Sequence, residues 1–504
     1  MHLLFRPIPA VICATFALPA FADLTAEDVW ADLQIYTTSF GYEVSGQPSR
    51  EGDSLVVLDM TVRAAQLPAQ NGGAMTLERV VFQEMPDGSV SIALPEVMPL
   101  EVTSLMETGE TATVKMDYIQ SGMEIVVTGN PDDLLYTYGA NSVSMQNSGI
   151  KIDGLSGDDL QPTMNLVFEG ISGTTDMTQD SQRRYDQKLD VASIAYNLAL
   201  ADPAAGESVE VKGDVRDLAF AGNTALPIRS IDPSDMNAML LAGFAVDGEF
   251  TFGANGFAIS GTAPNEKFSA AIQSQKGSAG VAMNADKLTY DLSQSETNVE
   301  MMSAEFPLPI SFGVSQTNFK VSLPVRQSDD PQTFALGFSL DGFSMSDVLW
   351  GIFDPTNQLP RDPARVALDL AGQARLLFDF LNPDLEAMQA EEPGSVPVEL
   401  EKVDINRLHV NVAGADLSGN GKFTFETTPM GVPQPVGAVD FTLVGGNALI
   451  DKLVAAGLVP EQQAMAARMM LGLLAVPGDA PDTLNSKIEI NEMGHVSANG
   501  QRIQ

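Results

Sequence analysis

From Tyr42 onward the chain alternates apolar and polar residues with a period of two, and that pattern leaves few folds open to it. Val114, Met116 and Tyr118 alternate with Thr113, Lys115 and Asp117. Leu288, Tyr290 and Leu292 alternate with Lys287, Thr289 and Asp291, and Phe319, Val321 and Leu323 with Lys320 and Ser322. Successive side chains of a strand point to opposite faces, so each run predicts a strand with one dry and one wet face, which favours antiparallel pairing. Asp87-Gly88, between apolar runs at 77–82 and 90–94, reads as a hairpin turn. Similar strands continue to Ile490. The expected architecture is mainly β, a β-rich α+β fold of long curved antiparallel sheets with a few short helices.

Helices are expected in four places. Thr25 and Asp28 form a capping box; Val29, Leu33, Tyr36 and Phe40 then recur at helical spacing beside Trp30, and Gly41 ends the helix. A short helix is expected after Asp232, with Pro233 in its first turn and Met236, Met239 and Leu240 on one side. Another is expected over 346–353. A helical hairpin is expected over 447–476, breaking at Gly457 and restarting after Pro460. A polar, proline-containing stretch at 222–233 divides the chain into regions 23–225 and 226–504, and the acidic residues 385–397 read as an exposed loop. Glycines at 129, 170, 213, 248, 372 and 445 share apolar residues two and four positions earlier. Among 43 glycines and 44% hydrophobic residues chance supplies about eight such cases, so this spacing is no evidence of a repeat.

The first 22 residues read as a secretory leader. Arg6 is its one full charge, an apolar stretch runs from 8 to 18, and Ala20-Phe21-Ala22 places small residues where a signal peptidase cuts. Cleavage after Ala22 is expected, with Asp23 as the mature start and the periplasm as the destination. Cys13, the only cysteine, follows Ile12 rather than the small residue of a lipoprotein site. The mature chain therefore carries no disulfide, no thiolate metal site and no cysteine nucleophile. No later run reaches the roughly 18 apolar residues of a membrane span; residues 464–476 come nearest, and they include Arg468. Lys plus Arg number 27 against 66 Asp plus Glu, a net charge of −39, which becomes −40 once Arg6 leaves. Such a chain lacks the concentrated basic surface of a nucleic-acid partner and is repelled by anionic head groups.

Motifs of catalysis are missing. Of the mature chain's two histidines, His409 lies with Arg407 and Asn411 on the polar side of a strand, and His495 follows Met493-Gly494 in a final turn. Neither belongs to a short helical pair of the kind zinc sites use. No Gly-x-Ser-x-Gly elbow or Walker loop occurs. The acidic pairs Asp132-Asp133, Asp158-Asp159 and Asp329-Asp330 read as solvated turns. The run from Asp153 to Asp159 lacks the ligand order of a calcium loop. No catalytic residue, metal ligand or cofactor is assigned. The segment that stands out is the second half of the helical hairpin, where Met465, Met469, Met470, Leu471, Leu473 and Leu474 leave little polar surface. A helix apolar all round is normally core. The alternative is a lid whose Met465, Met469, Met470 and Leu473 contact an apolar ligand, since flexible thioethers suit variable ligands. The expectation is intermediate: a hairpin covering one sheet, its inner face buried and some methionines facing a cavity.

Asp28-Val29-Trp30, Phe40-Gly41-Tyr42-Glu43-Val44 and Asp87-Gly88-Ser89-Val90 resemble a family of secreted Gram-negative proteins, domain-of-unknown-function family 2125. The segment from Asp451 to Leu458 and the closing Gly494-His495-Val496 and Asn499-Gly500 are similar to it as well. The resemblance implies no activity, cofactor or catalytic residue. Taken together, the sequence points to a non-catalytic periplasmic protein that binds or carries an apolar envelope molecule such as lipid. A structural or assembly factor acting through sheet edges is the alternative, and a carboxylate-based hydrolase the remote one.

Overall fold

The computed structural model describes residues 24–64, 73–105, 111–152, 161–228, 231–232, 235–264, 266–304, 308–382, 398–427 and 433–504. The leader, the Asp153 to Asp159 run and the acidic loop at 385–397 lie outside the described residues. Within them 67% of residues are in strands and 12% in helices, which makes the fold mainly β. No helix among the described residues is long and apolar enough to cross a membrane.

Helix α1 (Ala26–Ser39) opens with the expected capping box between Thr25 and Asp28. β1 (Tyr42–Glu51), β2 (Ser54–Ala64) and β3 (Gly73–Glu84) follow as a meander. β3 then pairs with two strands laid end to end: β4 (Val90–Ala93) on its C-terminal half and β5 (Val97–Leu105) on its N-terminal half. β6 (Thr111–Ser121) returns along β5, β7 (Glu124–Asn130) returns along β4, and the long β8 (Asp133–Ile152) spans both. β9 (Gln161–Gln179), β10 (Gln182–Asp202) and β11 (Glu207–Pro227) extend the sheet at full length.

After α2 (Met236–Leu241) the same arrangement recurs. β12 (Ala245–Phe252) and β13 (Asn255–Ala263) share β11, β14 (Glu266–Ser274) returns along β13, β15 (Lys276–Met283) returns along β12, and β16 (Lys287–Ser303) spans both. β17 (Ile310–Pro324) and β18 (Gln332–Met345) complete the second block, so β3–β10 and β11–β18 match strand for strand. Beyond α3 (Asp347–Phe353) come β19 (Ala364–Leu376), β20 (Val398–Val412), β21 (Ala415–Thr427) and β22 (Pro433–Val444). The helical hairpin α4 (Gly446–Ala455) and α5 (Glu461–Leu474) precedes β23 (Val476–Pro477), β24 (Thr483–Ile490), β25 (Val496–Ala498) and β26 (Gln501–Arg502). All 26 strands belong to one antiparallel sheet, and pairing runs unbroken through residue 225 because β11 has partners on both sides.

A crease crosses the long strands. Asn141, Gly170, Ala192 and Asp217 line up on β8 to β11, and Glu296, Ser315 and Gly342 line up on β16 to β18. Gly170, Asp217, Glu296 and Gly342 have φ of 62°, 50°, 50° and 72°. Apolar positions change parity there: Ile171 gives way to Phe168, Val191 to Ile194, Leu218 to Val215 and Leu340 to Phe343. The register runs through the crease without a shift, so each strand carries one such residue at the same place, and the alternation must change parity there if one face is to stay apolar along the whole strand.

The main core cluster lies at one end. Val29 and Trp30 of α1 pack on Val57, Val80, Phe82, Leu134, Met177 and Tyr185, with Trp30 edge-on to Phe82 at 5.8 Å and Tyr36 edge-on to Tyr185 at 5.1 Å. Beneath α1, Asp32 and Arg183 form a buried ion pair, and the Tyr136 hydroxyl donates to Asp32. Burial and the adjacent Asp32 carboxylate push the Tyr136 phenol well above its ordinary value. One helix start differs from expectation. α2 begins at Met236 and is capped by Asp235, whose carboxylate accepts from the Ala238 N–H at 2.9 Å, because the chain turns helical three residues later than Asp232 would place it.

Candidate functional site

The face that α1 covers at one end continues far beyond it. Tyr185 and Leu189 are two turns of the pleat apart on β10 and share that face. From Leu189 a row of directly paired residues runs through Phe220, Phe250, Ala279, Leu292, Phe319, Phe338, Leu368, Leu408, Gly419 and Phe441. It crosses eleven strands, a length of about 50 Å at the usual strand spacing. The next row on the same face is Val281, Tyr290, Val321, Leu336, Leu370 and Ile405. On the far side of the crease Leu166, Tyr196, Phe257, Ile272, Val299, Phe312 and Met345 follow the same course with Gly213 among them.

Among the described residues, nothing lies on the middle of these rows, although Val439, beside Phe441 on the same face, is buried. Among the described residues, no aliphatic or aromatic side chain between Leu240 and Val325 is buried. Phe250, Tyr290 and Leu292 are 41%, 44% and 43% exposed. A sheet with one apolar face normally buries it under a second layer, and bare apolar patches beyond a few hundred Å² mark binding surfaces. The opposite face is mainly polar: Ser278 bonds Ser293 at 3.1 Å, Asn318 donates to Ser339 at 3.0 Å, and Thr442 donates to Asn485 at 3.0 Å. Where α1 ends, a cavity of about 540 Å³ opens against Ile35, Arg183, Leu226, Ile228 and Met239.

The expected contact residues are elsewhere. Met465, Met469, Met470 and Leu473 lie on α5 at 69%, 72%, 52% and 45% exposure, and Ala464 is the only buried residue of that helix. The hairpin therefore neither fills a core nor covers a sheet with a buried inner face. It is attached at the end of β22, where Asp482 caps α4 and the Leu474 carbonyl accepts from Ser486 and Asn499. Composition alone suggested core, but no second apolar layer reaches the outward side of α5.

His409 sits on the polar face as expected, its Nε2 2.9 Å from Asp416 and its Nδ1 3.3 Å from Arg407. The bond to His409 holds the Asp416 carboxyl below its ordinary value. His495 occupies the turn after β24, its N–H donating to Asn491. Asp132 and Asp330 are turn residues, their N–H groups donating to Asn130 and Ser328. Among the described residues no group of three or more acidic or histidine side chains is placed to hold a metal ion. Sequence reasoning missed the open face, although the signal was present: many one-sided strands and too few helices to cover them. A family model described as an uncharacterized protein conserved in bacteria matches residues 245–498. No curated protein and no solved structure matches the chain.

Proposed function

The chain belongs to the DUF2125 family of uncharacterized bacterial proteins, whose matched segment, 245–498, contains much of the bare face; from that face we propose that it is a non-catalytic periplasmic protein that carries an apolar envelope molecule, most simply lipid. The observation that carries this reading is the uncovered row from Phe220 to Phe338, apolar at every strand it crosses. Burying such surface in a ligand gains about 25 cal/mol per Å² that the bare protein forgoes. Periplasmic placement rests on the leader-like residues 1–22.

Capture of partner proteins by strand addition has less support. β1, an edge of the sheet, is exposed along nearly its whole length and carries Glu43, Pro48, Arg50 and Glu51, the charges and proline that protect an edge from pairing. A carboxylate hydrolase has less still. Buried Asp32 is paired with Arg183, and buried Asp354 accepts from the N–H groups of Gln358 and Leu359. The test is native mass spectrometry and organic extraction of protein exported from a Gram-negative host and purified without detergent. Lipid should accompany the parent protein and be lost from Leu292→Asp/Phe319→Asp with folding intact. A parent that neither carries lipid nor takes it up from vesicles would end the carrier reading.

A further inference from the structure

Three aromatic rings of the open face, those of Phe220, Phe252 and Phe268, lie over glycines. A Cβ added at Gly222 would lie 2.7 Å from the Phe220 ring, one at Gly248 2.9 Å from that same ring, and one at Gly277 2.5 Å from the Phe252 ring. At Gly261 the added carbon would overlap the Phe268 ring. Each ring thus occupies the space a side chain would take on a glycine of its own or a neighbouring strand, an arrangement known to protect sheet glycines. Here it also flattens the surface. A layer meant to pack against protein offers knobs and holes that interdigitate, and a protein partner needs about one hydrogen bond per 100–200 Å². The apolar rows offer few of either: apart from the hydroxyls of Tyr196 and Tyr290 their side chains are hydrocarbon, and their backbone groups are spent on neighbouring strands.

We infer that the face is a smooth track that holds lipids by their acyl chains alone, leaving the headgroup in solvent and unread. This deepens the carrier reading and rests on it. Flat rings let a chain lie in many registers, so contact area rather than shape sets affinity, and the rows carry no charged side chain to recognise a phosphate or an amine. The charge of −39 still disfavours anionic headgroups at a distance, an effect that salt screens.

The experiment measures uptake by the full chain, at low and high salt, of three lipids with identical oleoyl chains: dioleoyl phosphatidylcholine, dioleoyl phosphatidylglycerol and dioleoylglycerol. At high salt the three affinities should agree within about threefold, with phosphatidylglycerol disfavoured only at low salt. Gly248→Ala/Gly261→Ala should lift both rings and weaken all three lipids at least fivefold with circular dichroism unchanged. Phe220→Ala/Phe268→Ala with both glycines intact should weaken all three lipids alike, by the contact area lost. A headgroup preference above tenfold at high salt, or glycine variants that bind like the parent, would overturn the inference and leave the carrier reading standing. A parent that binds none of the three would remove both.

Discussion

Asp482 caps a helix 35 residues away from it in sequence. α4 has Gly445 at its N-cap, with no side chain to offer, and Asp482 supplies the missing acceptor from the turn before β24. Its carboxylate takes the Asn447 N–H at 3.2 Å, the Asn447 Nδ2 at 2.9 Å and the Ala448 N–H at 2.9 Å. Burial pushes the carboxyl up, but the bonds from Ala448 and Asn447 outweigh it and hold the group below its ordinary value. A depressed folded-state value means that this stabilisation is complete above the unfolded value near ~4 and is lost as pH falls through the folded one. Asp482→Ala should therefore cost about 1 kcal/mol at neutral pH. Thermal unfolding of Asp482→Asn between pH 6 and pH 3 should fall less steeply with acid than that of the parent. The crease gives a second residue-scale expectation. Glu296 is held left-handed at φ 50°, a strain that glycine lacks, so Glu296→Gly should gain up to about 1 kcal/mol. Gly342→Ala should lose more than about 1 kcal/mol, since its Cβ would lie 2.7 Å from that of Ser315 at a φ of 72°. Denaturant unfolding that ranks these two variants the other way would contradict the role assigned to the crease.

At the level of elements, the molecule contrasts a covered and an uncovered use of the same face. Trp30 is 8% exposed between α1 and the sheet, so Trp30→Ala should cost about 3–5 kcal/mol by leaving a cavity. Leu292, on β16, faces solvent on one side, and Leu292→Ala should cost less than about 1 kcal/mol. Equal losses in chemical denaturation would mean that the face is packed in solution. The strands and α1 were legible in the sequence because period-two alternation and the Thr25 and Asp28 pair are local signals. So were α3 and the break at Gly457. The environment of α5 was not, because helical apolarity reports what a helix is made of and not whether a partner surface reaches it. The candidate site was half legible: Tyr290, Leu292, Phe319 and Val321 were assigned to the dry sides of their strands, while the missing cover is a property of distant elements.

Across the whole molecule, a native protein with this much open apolar surface should bind the dye ANS without unfolding, as loosely packed states otherwise do. The fluorescence should be strong at neutral pH in the folded state and fall when lipid is added. Dye binding that appears only with denaturant would place the apolar rows in contact with something else. The repetition of β3–β10 in β11–β18 had no counterpart in glycine spacing, since topology is carried by long-range pairing and tolerates wide change in the residues that pair. Polar edges, a charged reverse face and a net charge of −39 keep neighbouring copies apart where the bare face would otherwise draw them together.

The duplicated block also makes the sheet a ruler with discrete marks. Each block contributes six strand widths, because its four half-length strands occupy only two lanes, and six widths span about 29 Å. Both ends of the molecule, the helix-capped start and the helical hairpin, lie outside the second block. A chain that lost or gained one block would shorten or lengthen by that step with its ends intact, so reach along the face can change in whole increments while the machinery at either end stays the same.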